Sequence, residues 1–370
     1  MRLSALLCCA ALGLPLSAQE YFKEEKPDPW IPAWELTAQA ERQNLPPGAL
    51  PNFDRSDARL RLRWTLGSED GFQFKAGTIS YLGSDGNSKN LLRQDNQPSN
   101  GSRLDLAGLR FAHFTESAGV ELQGGLVENP MLASETLWDP NLRVIGGGGR
   151  VFLRTETVLE EAGLRGVAGE VRLLYGGRVR LRAGQAVARL VLGAVTATVH
   201  GGLWDLQPRQ EDAPLFLRQN GGAGWGPNGY YGNYGVYGNA GGYADPHYRY
   251  EVYGAQLDWD MAVPASVSAQ RQKRQEDGDI GQDFQLWVGS PTRRWWPQAG
   301  LIHQIVDTDG ALGSLNGDRW WFHSDASGNR YILALNLPQR WRVSAEYMKQ
   351  TRTGGNYLYT RTDLVLQKRF

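Results

Sequence analysis

The chain has 370 residues, 39 basic and 39 acidic side chains, 46 glycines, 13 tryptophans and 15 tyrosines, with a mean hydropathy of -0.45. That is too polar for a bundle of membrane helices and unusually aromatic for a soluble protein. Composition therefore leaves two classes, a secreted all-β protein or a transmembrane β-barrel. In a barrel, alternate residues face lipid and water, and Trp and Tyr collect at the membrane interfaces.

At the amino terminus, Met1 and Arg2 precede an almost unbroken apolar run from Leu3 to Leu16, closing on Leu16, Ser17 and Ala18. This predicts a signal peptide over 1–18, cleaved after Ala18. At about 14 residues the run is short of the ~20 that a membrane-spanning helix needs, and no later stretch approaches that length. Both cysteines, Cys8 and Cys9, fall inside it, and Leu7 is too large to precede a lipoprotein cleavage site. A mature chain without cysteine excludes disulfides, thiol catalysis and cysteine-ligated metal. It also suits a protein that crosses an oxidising periplasm unfolded. Residues 19–32, with Pro27, Pro29 and Pro32, read as an extended periplasmic tail.

From residue 33 onward amphipathic alternation recurs, and 33–370 reads as one outer-membrane β-barrel. Trp34, Leu36, Ala38 and Ala40 alternate with Glu35, Thr37, Gln39 and Glu41. Leu60, Leu62, Trp64 and Leu66 alternate with Arg59, Arg61, Arg63 and Thr65 before a turn from Gly67 to Gly71. Further short turns are predicted at Thr115–Gly119, Glu160–Gly163, Met261–Pro264, Ser290–Arg293 and Pro338–Gln339. The pattern predicts eight strands at roughly 33–42, 56–66, 71–81, 103–114, 119–127, 148–158, 164–175 and 178–187. Eight more follow at roughly 190–204, 248–260, 265–273, 283–289, 295–306, 329–337, 340–350 and 357–370. The fold class is thus an all-β, antiparallel transmembrane barrel of about 16 strands. Gln185–Arg189 carries no strong turn residue, so 14 or 18 strands also fit. An even count puts both termini and the short turns on the periplasmic side and the long loops outside.

The last strand places Leu364 and Leu366 in one register and Arg361, Asp363, Gln367 and Arg369 in the other, ending on Phe370. A terminal Phe on an amphipathic strand resembles the signal by which outer-membrane barrels are recognised for assembly. Lys368 interrupts the apolar register, where a lysine near the membrane edge can snorkel. Gly221–Gly242, rich in Gly, Tyr and Asn, lies in a predicted external loop from about Asp205 to His247. A flexible cover, a fold into the pore mouth and a sugar-contacting aromatic patch are its candidate roles.

One local motif goes beyond general barrel patterning. Asn129 and Pro130 are followed by Leu137, Trp138, Asp139, Pro140, Asn141 and Leu142, then by Gly146–Gly149. This resembles a family of bacterial outer-membrane porins in which a strand ending in Asn-Pro leads into a loop with an aromatic-Asp-x-x-Leu element and a glycine before the next strand. The likeness covers about 20 of 370 residues. It implies a barrel porin of unspecified solute and transfers no binding residues. Locally, Pro130 cannot donate to a strand ladder, and Asp139 before Pro140 favours a turn.

Alternation assigns Arg59, Arg61, Arg63, Arg172, Arg178, Arg180, Arg182, Arg340 and Arg342 to the water-facing wall, with acids Glu35, Glu41, Glu170, Glu346 and Asp363 opposing them. Arginine rings in a pore lower the barrier for anions, although cross-wall pairing that stiffens the barrel uses the same residues. His113, His200, His247, His303 and His323 form no metal spacing, and no G-x-S-x-G occurs. No catalytic residue, cofactor or metal is expected, and no enzyme activity. The leading function is passive diffusion of small hydrophilic solutes with a mild anion preference. A barrel-anchored adhesin or receptor using the Gly/Tyr loop and Leu82–Ser102 is the alternative, and a sheath around a periplasmic partner is a third. Expected partners are outer-membrane lipid, the barrel-assembly machinery and small solutes. A homotrimer is open to it, and no nucleic acid is expected.

Overall fold

A computed structural model describes residues 32–44, 53–83, 100–155, 157–172, 178–208, 247–307, 310–312, 315, 320, 326–352 and 358–369. The predicted signal peptide, most of the tail, the Gly/Tyr tract and Phe370 lie outside the described residues. The first eight strands are β1 (Ala33–Asn44), β2 (Phe53–Gly67), β3 (Gly71–Gly83), β4 (Asn100–Phe114), β5 (Ala118–Val127), β6 (Val144–Arg154), β7 (Leu159–Arg172) and β8 (Arg178–Leu192). The second eight are β9 (Val195–Pro208), β10 (Tyr248–Trp259), β11 (Ala265–Arg274), β12 (Ile280–Gly289), β13 (Pro297–Val306), β14 (Ala326–Asn336), β15 (Trp341–Arg352) and β16 (Leu358–Arg369). Every strand pairs antiparallel with its sequence neighbours, and β1 closes on β16 with Ala38 opposite Leu366. Closure leaves no unpaired edge, which a sheet in lipid requires.

The sixteen strands match the alternation, and both described strand ends at the termini lie beside the short connections. Gly67 (φ +117°) and Gly71 (φ +124°) bracket the β2–β3 turn, and a Cβ on Gly67 would lie 2.2 Å from the Phe72 carbonyl oxygen. Only glycine fits there. The uncertain boundary at Gln185–Arg189 is interior to β8; the hairpin to β9 turns later, at Gly193–Ala194, with Gly193 at φ +61°. The turn predicted at Glu160–Gly163 is likewise inside β7, and β6 begins at Val144 rather than near 148. The cause is Gly146–Gly149, which form strand without any side chain to register alternation.

Large apolar residues project outward from opposite sides of the wall, including Phe74, Leu109, Leu122, Leu164, Leu203 and Leu333, each between 45% and 60% exposed. Such a belt is stable only against lipid. At the short-turn end, outward positions hold Trp34, Trp64, Phe72, Trp259 and Trp341, an interfacial girdle. Lys368 fits that geometry: its ammonium lies 4.8 Å from the centre of the Trp341 ring.

Leu364 faces outward between Ala40 and Ala345. Leu364→Asp should therefore reduce insertion, since a mid-membrane charge costs on the order of 2 kcal/mol or more for Arg or Lys and somewhat less for Asp. The folded, heat-modifiable fraction in outer membranes measures it. Wild-type levels would show that β16 does not meet lipid there.

Candidate functional site: a charged lumen crossed by an in-folded segment

The β5–β6 connection, 128–143, turns into the barrel rather than away from it. β5 ends at Val127, Pro130 follows in the connection, and the Asn129 side chain accepts the Met131 amide at 3.1 Å where the chain bends inward. A backbone entering the lumen needs partners for its polar groups. Lumen side chains supply them. Gln185 on β8 accepts the Leu132 amide and donates to the Leu132 carbonyl, both at 2.9 Å. Gln270 on β11 accepts the Ser134 amide at 2.9 Å, and Gln272 donates to the Thr136 carbonyl at 3.3 Å. Gln304 on β13 donates to the Thr136 hydroxyl at 3.0 Å.

An apolar underside completes the seat. Met131, Leu137, Trp138 and Leu142 are buried against Val167, Val179, Leu181, Trp204 and Leu206 of the barrel wall, with Leu312 and Leu315 from the β13–β14 connection joining the cluster. Burying each large apolar side chain contributes roughly 1.5–3 kcal/mol. Asp139 then caps the return. Its carboxylate accepts the Asn141 amide at 2.8 Å, while its own amide donates to the Leu315 carbonyl at 2.6 Å.

At its far end the segment is held by ions. Arg330 of β14 bonds Glu135 at 2.7 Å and Glu346 of β15 at 3.0 Å, with its guanidinium 5.4 Å from the centre of the Trp320 ring. At its near end Arg143 meets Asp105 at 2.9 Å, and Asp105 also holds Arg61 at 3.2 Å and Arg63 at 3.5 Å. Asp105 keeps the inward parity of Arg103, and a β-bulge in β4 comes directly after it. The register shifts between Gly77 and Thr78, so that Asp105 and Leu106 are both buried and the inward parity changes from Arg103 to Arg110.

The inner wall divides by charge. Over β2–β7 it carries Arg59, Arg61, Arg63, Lys75, Arg110, Arg150 and Arg165, balanced in part by Asp57, Asp105 and Glu121. Arg110 and Arg150 share Glu121 at 2.7 and 3.2 Å. The facing wall is rich in glutamine and mixed in charge: Gln298, Gln304 and Gln350 stand with the acids Glu41, Glu346 and Asp363 and with Arg330, Arg342 and Arg361. There Arg361 sits between Asp363 at 2.8 Å and Glu41 at 3.5 Å.

Of the residues expected to line the pore, Arg59, Arg61 and Arg63 share the inward face of β2, and Arg342 and Glu346 that of β15, where Arg342 donates to Gln298 at 2.6 Å. Others are corrected. Arg178, Arg180 and Arg182 lie opposite Val179, Leu181 and Gln185, whose side chains are the inward, buried set, so those arginines face outward. Glu170 and Arg172 face outward too, opposite Val167 and Val171, and pair with each other at 3.4 Å. The physical reason is the in-folded segment: its apolar underside makes an apolar inner wall the buried one and inverts the usual reading of alternation. Arg340 belongs to no wall, being in the Pro338–Arg340 turn with φ 60°. Sequence reasoning missed Arg110, Arg150 and Arg165, although each lies in an alternating strand. It also missed Asp105, which faces inward in the same register as Arg103.

Sixteen antiparallel strands closed around a polar lumen, with one connection folded into it, constitute the fold of the bacterial outer-membrane porins. Among solved structures, the chain is similar to OprB of Pseudomonas putida at high pH, with 11% identity over 92% of this chain and 94% of that one and a TM-score of 0.60. Weaker likenesses join it to loop-deleted OmpT, an outer membrane protein of Vibrio cholerae (10% identity, 91% and 98% covered, TM-score 0.49), and to a mutant of Rh. blastica porin (10% identity, 92% and 100% covered, TM-score 0.45). No family model matches the sequence, and no curated protein matches it. With its apolar belt and aromatic girdle, this fold places the protein in a bacterial outer membrane.

Proposed function

We propose that the protein is a passive channel for small hydrophilic solutes with a modest preference for anions. The observation that carries this reading is the asymmetric lumen: an arginine-rich arc over β2–β7 faces a glutamine-rich wall, whose acids are matched by Arg330, Arg342 and Arg361, across the segment at 128–143. Excess basic charge raises the local anion concentration and lowers the anion barrier. Pairing with Asp57, Asp105 and Glu121 keeps the effect small. Small solutes need no fixed subsite in such a channel, and no catalytic role is assigned. A homotrimer and delivery by the barrel-assembly machinery belong to the same reading. The adhesin alternative rests on the Gly/Tyr tract, outside the described residues.

Planar-bilayer recording tests it. The refolded barrel should conduct, with a reversal potential shifted weakly to the anion side in a salt gradient. The shift should fade in concentrated salt, because screening acts beyond about 8 Å at physiological ionic strength and over shorter distances above it. Changing Arg59, Arg61 and Arg63 together to Gln should move the potential toward zero without abolishing conductance. A folded barrel that stays closed would remove the channel reading.

A further inference from the structure

The arginines that leave the lumen form part of an outward basic rim. At the loop-side ends of β7–β11, outward positions hold Arg172, Arg180, Arg182, Arg249, Arg271 and Lys273, all exposed, against the acids Glu170, Asp205 and Glu251. Equivalent outward positions on other strands are mostly uncharged, with Ser80, Ser102, Ser327, Asn329 and Thr360, and carry basic residues only singly, at Arg42 and Lys349. A lipid-facing arginine costs roughly 2–4 kcal/mol at mid-membrane and little near the interface. The cluster therefore belongs at the headgroup level of the outer leaflet.

Below it the outer wall is concave. A groove of about 900 Å³ runs between Leu164 and Tyr253 over a floor that includes Ala162, Ala186, Ala188 and Gly201. A second, of about 500 Å³, lies on the other side of Tyr253, between it and Phe284, over Ala255 and Ala269 and beside Arg271. Arg182 is four residues above Ala186 on the same face of β8, about 13 Å at the rise of a strand. Arg180 is one alternation higher.

We propose that this face binds a phosphorylated, multiply acylated lipid of the outer leaflet, its phosphate against Arg180 and Arg182 and its chains in the grooves flanking Tyr253. Guanidinium groups grip phosphate bidentately, and basic side chains near an anionic membrane surface gain from it. Lipid tails are as apolar as the side chains they touch, so the grooves contribute fit rather than hydrophobic drive. Affinity thus resides in the rim, and chain geometry in the grooves. The inference rests on the outer-membrane location but not on conduction.

The test uses the refolded barrel in phosphate-free detergent and native mass spectrometry, with three probes: bisphosphorylated hexa-acyl lipid A, its dephosphorylated form, and inorganic phosphate. The bisphosphorylated lipid should be retained, the dephosphorylated one about tenfold more weakly, as expected for loss of a charge-assisted contact. Inorganic phosphate should not displace the lipid. Arg180→Gln with Arg182→Gln should weaken retention about tenfold, and Ala186→Trp, which fills the groove floor, should weaken it less. Both variants should keep heat-modifiable folding and wild-type conductance in bilayers lacking lipid A. Equal retention of the two lipids, an unchanged double arginine variant, or displacement by inorganic phosphate would each overturn the inference. A barrel that binds the lipid yet stays closed would instead remove the channel reading and leave this one standing.

Discussion

Replacing Arg330 with alanine should lower the unfolding temperature of the barrel and raise its single-channel conductance, with noisier open current. Arg330 is 1% exposed and neutralises both Glu135 of the in-folded segment and Glu346 of β15. Removing one member of a buried ionic cluster leaves the others charged and desolvated, at a cost of about 3–5 kcal/mol. Protonation or outward movement of Glu135 would relieve that cost, and outward movement detaches the segment from the far wall. The glutamine and threonine contacts at Gln270, Gln304 and Thr136 remain, so the segment loosens without leaving. Adding Glu135→Gln and Glu346→Gln to Arg330→Ala should restore part of the thermal stability, because the uncompensated charges are gone. Wild-type conductance and melting in Arg330→Ala would show that the ionic anchor does not hold the segment.

The anchors follow a division of labour. The half of the segment over β6–β10 is held mainly by apolar contact through Leu137, Trp138 and Leu142, with hydrogen bonds from Gln185 of β8 and Arg165 of β7 at its start. Its tip, over β11–β15, is held by hydrogen bonds and one ionic cluster. Apolar contact is non-directional, whereas glutamine amides satisfy both a backbone N–H and a C=O at fixed positions, as Gln185 does for Leu132. The first resists sliding weakly, and the second sets the register of the crossing.

Strand number and closure were legible because lipid enforces alternation. Leu60, Leu62 and Trp64 against Arg59, Arg61 and Arg63 admit one register in a membrane. The same rule misled at β8, where Val179, Leu181 and Val187 look like a lipid face and Arg178, Arg180 and Arg182 like a water face. Two conditions invert it: an inner wall covered by another segment becomes apolar, and an outer wall above the hydrocarbon becomes polar. Neither is encoded within the strand itself. The Asn129–Pro130 and Asp139–Pro140 signals located the segment, yet nothing local specified inward folding, since its partners Gln185, Gln270, Gln304 and Arg330 are 53 to 195 residues away in sequence. Gly146–Gly149 hid the start of β6 for the simpler reason that glycine has no side chain to alternate.

Asp105→Asn should shift the reversal potential further to the anion side, opposite in sign to the triple arginine variant. Asp105 has no exposed side-chain surface and lies within 3.5 Å of Arg61, Arg63 and Arg143. Asparagine keeps the shape and can still accept a hydrogen bond, but removes the negative charge that offsets three guanidinium groups. The arc gains one net positive charge where the segment returns to the wall, and anions are favoured more strongly. Stability should fall at the same time by about 3–5 kcal/mol, the cost of taking one partner from a buried ionic cluster. Glu128, 2.9 Å from Arg63, recovers part of it. High salt should damp the selectivity change, which acts through the aqueous lumen, more than the change in melting, which arises inside the desolvated cluster. Melting that drops while the reversal potential stays fixed would mean that ions pass along the opposite wall, past Glu41 and Asp363, and that the arginine arc braces the barrel without selecting what crosses it.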